Sequence, residues 1–326
     1  MNKPLASLSL DLDNLWTYLK IHGDPGWETY PSYLDTFVPA VLDLLDRLKL
    51  RITFFIVGQD AALDNNRDYL QEIARRGHEV GNHSFRHESW LHTYSREALE
   101  AEVARAEEQI ERVTGQRPAG FRGPGFSWSP ALLDVLAERG YVYDASTLPT
   151  YIGPLARLYY FRTARLSREE REARRELFGS FRDGLRPVKP YFWKLENGKT
   201  LLEMPVTTIP VIKTPFHLSY LLYLNGFSPA LMDLYLSLAI RMCQITGTQP
   251  SFLLHPLDLI GGDRAPRLKF FPGMHISSER KAEVFTGVME KLGWHFQLAG
   301  MARHAAYFLQ EGLSARPAQG VLTEMK

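Results

Sequence analysis

A single cysteine stands among 326 residues. Cys243 therefore has no partner for an intramolecular disulfide, which excludes a disulfide-stapled secreted scaffold and favours a reducing compartment. Its apolar surroundings read as a buried, inert thiol. Long apolar runs are also missing, since no uninterrupted stretch reaches the ~18 residues that a spanning helix needs. The start, Met-Asn-Lys-Pro, enters at once a strand-like segment, Leu5 to Leu12, without the apolar core and small-residue cleavage site of a secretory signal. The expectation is a cytoplasmic chain. Charge of one sign is not in excess: 38 Lys and Arg face 37 Asp and Glu, a formal net charge of +1. With no recognisable nucleic-acid module, that balance argues against a nucleic-acid partner. Neither internal repeats nor low-complexity tracts occur, and 45% apolar with 23% charged residues suits one large globular domain, with or without an insertion.

What is present is an alternation of short apolar strands and amphipathic helices, the pattern of an α/β fold with a largely parallel sheet or barrel. Arg51 to Val57, β-branched and aromatic and ended by Gly58, is the clearest strand after the first. A helix is expected over about 37–48, with Val41, Leu44, Leu45 and Leu48 on one face. Another is expected over about 66–76, ended by Gly77. Ser95 can cap a long helix that continues to about Val113, with acidic residues in its first turns.

Five separated segments carry chemistry. In Asp11-Leu12-Asp13, two carboxylates two apart on a strand leave the same face and repel unless a cation or a shared proton relieves them. A solvated strand end would look the same. His83 and His87 are four apart, so a helical turn after Asn82 would aim both imidazoles one way; chance spacing on an exposed helix gives that too. Together with Asp13 they make an Asp-His-His set with open positions, as a hydrolytic divalent metal requires. Zinc is the first expectation, and cobalt, nickel, manganese or iron would be accepted by the same donors. In Phe121-Arg122-Gly123-Pro124-Gly125, glycines flank a proline and permit close backbone approach to a ligand. His255 ends a buried-strand pattern, Ser-Phe-Leu-Leu, and precedes Pro256, either at a catalytic strand end or as a satisfied core histidine. Asp144, in Tyr143-Asp144-Ala145-Ser146, is an acid or a turn-former.

In order and type these segments resemble the polysaccharide deacetylases, the NodB-homology or carbohydrate esterase family 4 domain, from about residue 5 to 300. The resemblance implies a distorted or incomplete (β/α) barrel with an inserted segment, its motifs at the C-terminal strand ends. Residues 1–305 would form the deacetylase domain, and 306–326 a helix end and loose tail. It also implies roles: Asp13, His83 and His87 hold the metal, and Asp11 is the general base. Arg122 holds that base, the 123–125 loop offers a backbone N–H to an oxyanion, and His255 is the general acid. The family's first motif commonly has adjacent aspartates, whereas Leu12 intervenes here, and tyrosine is frequent where Gly125 stands. An acidic residue of the fourth motif, which Asp144 matches, tunes the catalytic histidine; Asp258, three residues after His255, is a local alternative. Glu203 reads as structural support. The implied reaction removes an N-acyl group, acetyl or formyl, from an amino sugar.

Residues 151–200 hold 12 Lys or Arg against 6 Asp or Glu, a surplus of six positive charges that leaves the remaining chain five negative. Tyr159-Tyr160-Phe161-Arg162 and Tyr191-Phe192-Trp193-Lys194 set aromatic groups beside cations, as at an anionic membrane surface or a phosphorylated ligand. The acidic residues among Ser167 to Phe178 fit a solvated, ion-paired helix equally well. A basic, aromatic insertion resembles the family branch acting on undecaprenyl-linked sugars, which implies a lipid-linked substrate and peripheral contact with the inner membrane face. A soluble deacylase of a nucleotide sugar or oligosaccharide, and a non-catalytic sugar-binding relative, are the alternatives.

Overall fold

A computed structural model describes residues 3–153 and 181–310 and the backbone of 315–317. Ten strands form one sheet: β1 (Leu5–Leu12), β2 (Thr53–Ile56), β3 (Glu79–Asn82), β4 (Gly120–Phe121), β5 (Tyr143–Asp144), β6 (Tyr191–Lys194), β7 (Thr200–Glu203), β8 (Ser251–Leu254), β9 (Gln297–Ala299) and β10 (Ala315–Pro317). Their order is β10-β6-β7-β5-β4-β3-β2-β1-β8, with β9 paired to the first half of β1. Among the described strands only β6 and β7 pair antiparallel. Helices cross between the parallel strands, the α/β arrangement expected from the alternating pattern.

Strand β1 shows how the sequence sorts the two faces. Leu8, Leu10 and Leu12 point into the largest apolar cluster, against helices Leu34–Arg47, Pro229–Thr246 and Ser278–His295. Ser7, Ser9 and Asp11 occupy the opposite face, as the two-residue period requires. There Ser7 meets His304 (Oγ to Nδ1 2.9 Å) and Ser9 meets Arg122. That inner face is closed by helix Met301–Gln310, whose Met301, Ala305 and Phe308 pack with Phe55 and Tyr143. Small residues make room for these aromatics: a Cβ on Gly81 would sit 2.5 Å from the Phe55 ring.

The helices over Leu34–Arg47, Arg67–Arg75 and Arg96–Thr114 stand where the apolar spacing predicts them. Ser95 caps the last, accepting a hydrogen bond from the Ala98 N–H at 3.3 Å. Cys243 is fully buried, and burial pushes its thiol up to about 12, so it is an inert core group.

Three expectations change. Residues 83–87 are not helical. Within 151–200, Tyr191–Lys194 is a sheet strand, with Tyr191 and Trp193 buried and the Trp193 indole donating to Glu203 at 3.0 Å. Tyr191 and Trp193 are thus core and not a surface aromatic patch; alternation along the strand sends these two rings inward and leaves Phe192 half-buried and Lys194 exposed. Tyr159–Arg162 and Ser167–Phe178 lie outside the described residues. Finally, the C-terminal segment is not loose throughout, because Ala315–Pro317 pairs in parallel with Phe192–Lys194.

Candidate active site and metal centre

The chemical groups gather at the C-terminal ends of β1, β3, β4, β5 and β8, where parallel strands deliver consecutive loops to one rim. Asp13 lies one residue beyond β1, folded back so that its N–H meets the Asp11 carbonyl at 2.8 Å. Asn14 next to it caps helix Leu15–His22 and donates to Asp60 at 2.7 Å; Trp16 donates to the same oxygen at 3.0 Å. Tyr33 donates to the Asp13 carbonyl. This network fixes the main chain on both sides of Asp13. Burial pushes Asp60 up to about 7, against the hydrogen bonds that Asn14 and Trp16 donate. No sequence motif marked Asp60, because its partners are far apart in the chain.

His83 and His87 come together by a different route from the helical turn expected of their spacing. Ser84 and His87 adopt left-handed backbone angles, φ 60° and 55°. These fold the loop tightly enough to bring the two imidazole centroids to 5.0 Å. Glu102, on helix Arg96–Thr114, receives the Phe85 and Arg86 N–H groups at 3.0 Å each and holds the loop from behind. The His83 Nδ1 lies 2.6 Å from the Arg122 carbonyl. A carbonyl only accepts, so Nδ1 carries the proton and the Nε2 lone pair is left for a ligand.

Asp13 Oδ1 then lies 2.8 Å from His87 Nε2 and 3.5 Å from His83 Nε2. One ligand atom from each residue falls within 4.8 Å of the others, and all three side chains are buried. No donor meets Asp13 Oδ1 in hydrogen-bonding geometry, so a buried carboxylate oxygen and two imidazole nitrogens converge without satisfying one another. Burial alone would raise the Asp13 carboxyl, yet the two imidazoles hold it well below the usual carboxylate range. His83 is raised by the charges of Asp11 and Asp13 despite burial. The cluster favours a positive charge at its centre, and its donor set fits a divalent cation of the zinc type.

Arg122 is fully buried beside it and spends its guanidinium on fixed partners. Nη1 reaches Asp11 at 2.6 Å and Ser9 at 2.9 Å, Nε donates to the Ala145 carbonyl at 3.0 Å, and the cation lies 4.3 Å from the Phe55 ring centroid. Asp11 is thereby oriented from one side, with its neighbour Asp13 turned to the histidines. After Arg122 the chain turns sharply: Gly123 has no space for a side chain, since a Cβ would lie 1.9 Å from the Ser127 carbonyl oxygen, and Gly125 takes φ +61°. The Gly123 N–H donates to Ser146 at 2.8 Å, and Ser146 donates to Asp144 at 2.6 Å.

Asp144 therefore braces the 123–125 loop. It sits beside Glu203 in a buried acid pair, where burial raises both carboxyls. The carboxylate at His255 is Asp258, which accepts the His255 N–H at 2.8 Å and lies 3.8 Å from Nδ1. The pairing expected of Asp144 thus falls to the local alternative, because β5 points Asp144 toward Ser146. Burial opposes charge on His255, but the hydrogen bond and charge of Asp258, with Asp11 and Asp13 beyond, raise it to about 9. His217, six ångströms away by ring centroids, was not legible in the sequence. Burial and the nearby His255 push it down to about 3, and its Nδ1 has no hydrogen-bond partner.

Comparison with known proteins gives a consistent picture. Residues 24–143 match the family model described as polysaccharide deacetylase. A peptidoglycan-N-acetylglucosamine deacetylase of Bacillus cereus is 32% identical over 106 residues, 32% of this chain and 48% of the relative. A peptidoglycan deacetylase of Helicobacter pylori is 26% identical over 165 residues, 48% of this chain and 53% of the relative. The chitin deacetylase of Colletotrichum lindemuthianum is 31% identical over 125 residues, 37% and 50% of the two chains. This chain spans about a third to a half of the length of the curated relatives it matches. The crystal structure of a candidate polysaccharide deacetylase from Mycobacterium smegmatis superposes with a TM-score of 0.57 at 17% identity, covering 97% of this chain and 98% of the other, which establishes a shared fold.

Proposed function

From the match of residues 24–143 to the polysaccharide deacetylase family model, we propose that the chain is a metal-dependent hydrolase of that family, removing an N-acyl group from an amino sugar. The observation that carries this reading is the convergence of Asp13, His83 and His87 beside an Arg122-held Asp11, with His255 on the same rim.

A divalent cation held by Asp13, His83 and His87 would supply Lewis-acid polarisation of the amide carbonyl and a water made acidic enough to attack near neutral pH. Asp11 accepts the proton of the attacking water, its free oxygen turned from Arg122. The new bond joins water oxygen to the acyl carbon. As the carbon–nitrogen bond breaks, His255 in its cationic form gives a proton to the leaving nitrogen, which departs as the amine while the acyl group departs as carboxylic acid. Asp258 fixes the ring for that transfer. The 123–125 loop, braced by Ser146 and Asp144, presents main chain to the developing oxyanion. The buried Arg122, Phe55 and Met301 keep water from the back of Asp11.

Zinc is the metal that the donor set suits best, and the finer reading of the substrate is a polyprenyl-phosphate-linked amino sugar at the inner membrane face. What supports it is apolar surface: Tyr223, Phe227, Leu231, Leu234 and Leu238 are all exposed on helices Leu218–Phe227 and Pro229–Thr246. No helix among the described residues is long and apolar enough to cross a membrane. The positive surplus of 151–200 adds attraction to anionic lipid.

The test is amine release from N-acetyl and N-formyl amino sugars, free, nucleotide-linked and polyprenyl-linked, after reconstitution with zinc, cobalt or manganese. Asp13→Ala should lose both metal and turnover; an Asp13→Ala protein that kept both would overturn the assignment. Turnover of soluble substrates alone would remove the membrane reading and leave the chemistry.

A further inference from the structure

Beside His255 opens a cleft of about 370 Å³, within the range of small-ligand sites. One wall is Leu222, Tyr223 and Phe227 of helix Leu218–Phe227, and the other includes Leu257 and Ile276. The catalytic candidate His255 and its partner Asp258 line the same space.

Tyr18 reaches the cleft from helix Leu15–His22. It is 7% exposed, and its hydroxyl has no hydrogen-bond partner. A buried hydroxyl left unpaired costs about 1–3 kcal/mol, so this donor fits a site completed by an acceptor from outside the chain. At the mouth stand Tyr223 and Phe227, 64% and 69% exposed, packed edge to face at 5.0 Å. Aromatic side chains so exposed, continuous with an apolar cleft, mark a binding surface.

We infer that this cleft is a subsite for an apolar substituent on the amine-bearing half of the substrate, with the Tyr18 hydroxyl as its polar anchor. The inference rests on the deacylase reading for its orientation. A general acid faces the leaving nitrogen, so the space that His255 shares belongs to the group left on that nitrogen and not to the acyl group. Leu222, Tyr223, Phe227, Leu257, Pro272 and Ile276 form an apolar path through the cleft, although Ser219, His255, Asp258, His275 and Lys281 also line it, and that path suits a hydrocarbon aglycone. An acceptor at the junction of sugar and chain, such as a glycosidic oxygen, meets the Tyr18 hydroxyl while the chain runs out between Leu222 and Leu257 past Phe227.

Octyl β-glucoside below its micellar concentration is the probe, because it has the chain and the junction oxygen but no amide. Calorimetric titration of the intact chain should show binding at least tenfold tighter than methyl β-glucoside. Gly226 lines the cleft with nothing within 4 Å of an added Cβ, so Gly226→Trp can fill the mouth without disturbing the backbone. It should weaken octyl glucoside at least tenfold at an unchanged melting temperature. Tyr18→Phe should weaken it severalfold while raising the melting temperature of the ligand-free chain, because it removes an unpaired buried hydroxyl. Octyl glucoside binding no tighter than methyl glucoside overturns the subsite. So does binding that survives Gly226→Trp and disappears in Leu234→Gln, which would place the detergent on the outer apolar stripe. The catalytic premise is read separately: if octyl glucoside binds as expected but no N-acetyl or N-formyl amino sugar of the panel is hydrolysed, the deacylase reading fails and with it the assignment of the cleft to the amine-bearing half, while the apolar binding itself stands.

Discussion

The main-chain carbonyl of Arg122 accepts a hydrogen bond from His83 Nδ1 at 2.6 Å, while its guanidinium holds Asp11 at 2.6 Å. One residue thus sets both the tautomer of the proposed metal ligand His83, through its backbone, and the position of the proposed base Asp11, through its side chain. The two contributions separate on substitution, because only the second depends on the arginine.

Replacing Arg122 should therefore spare the metal and remove the chemistry. Arg122→Met leaves Asp11 as a buried carboxylate without its counter-ion, a change that costs about 3–5 kcal/mol. Arg122→Lys keeps a charge but not the fork that serves Asp11, Ser9 and Ala145 together. Urea titration and metal analysis on Arg122→Lys should show a folded, metal-binding protein with turnover reduced 10²-fold or more, on the order expected for a mispositioned base. Loss of metal from folded Arg122→Lys would contradict the separation.

The role proposed for His255 predicts a pH limb. A general acid must be protonated, and Asp258 holds His255 up to about 9. The rate should then fall as pH rises through about 9. Asp258→Asn removes the charge that holds the proton, so the limb should move down toward the ordinary imidazole value near ~6.5. Stability follows the same sign: a folded-state value above the unfolded one contributes stability present below ~6.5 and lost as pH rises toward 9. A pH–rate profile of Asp258→Asn superimposable on the parent would remove Asp258 from this role. Asp144→Asn, by contrast, should leave the limb in place, since Asp144 faces Ser146.

Two glycines should respond in opposite ways. Gly123→Ala drives a Cβ to within 1.9 Å of a main-chain oxygen, and either the loop moves or the fold gives, at a cost on the order of 3 kcal/mol. Gly287, inside helix Ser278–His295, has nothing within 4 Å of an added Cβ. Gly287→Ala should stabilise by about 0.5–1 kcal/mol through helix propensity. Thermal melts of the two variants decide both.

Lys281 holds the loop beyond His255. It is 1% exposed, and its ammonium donates to the Leu257 and Ile260 carbonyls at 2.6 and 2.9 Å, the residues flanking Asp258 and Leu259. Burial lowers it to about 8. Lys281→Met strands two buried carbonyls, so a loss of roughly 2–4 kcal/mol is expected. Because Asp258 sits on this loop, the basic limb of the rate profile should also move down, which a purely global destabilisation would not do.

Local pattern made much of this legible. The two-residue alternation of β1 sorted leucines from Ser7, Ser9 and Asp11, and Ser95 announced a helix start. The Asp13, His83 and His87 set was readable because each residue type is scarce in that chemical role and the segments occur in order. The helical turn proposed for 83–87 failed because tertiary contact overrode spacing: Glu102, distant in sequence, captures the Phe85 and Arg86 N–H groups and stabilises left-handed angles that spacing alone does not reveal. Tyr191–Lys194 misled for a related reason. An aromatic–cation run looks alike on a membrane face and in a buried strand until its neighbour, β7 with Glu203, is known. His217 and Tyr18 carried no signal, since their significance lies only in what surrounds them.

Glu102 has a wider consequence. The loop bearing both histidines takes its shape from a carboxylate on a neighbouring helix and from the Arg122 carbonyl, none of which is a ligand. Its form is therefore braced by the scaffold as well as by any ion it would hold. Substituting Asp13 or His87 should accordingly leave the loop's outline in place, since the Glu102 carboxylate and the Arg122 carbonyl still hold it.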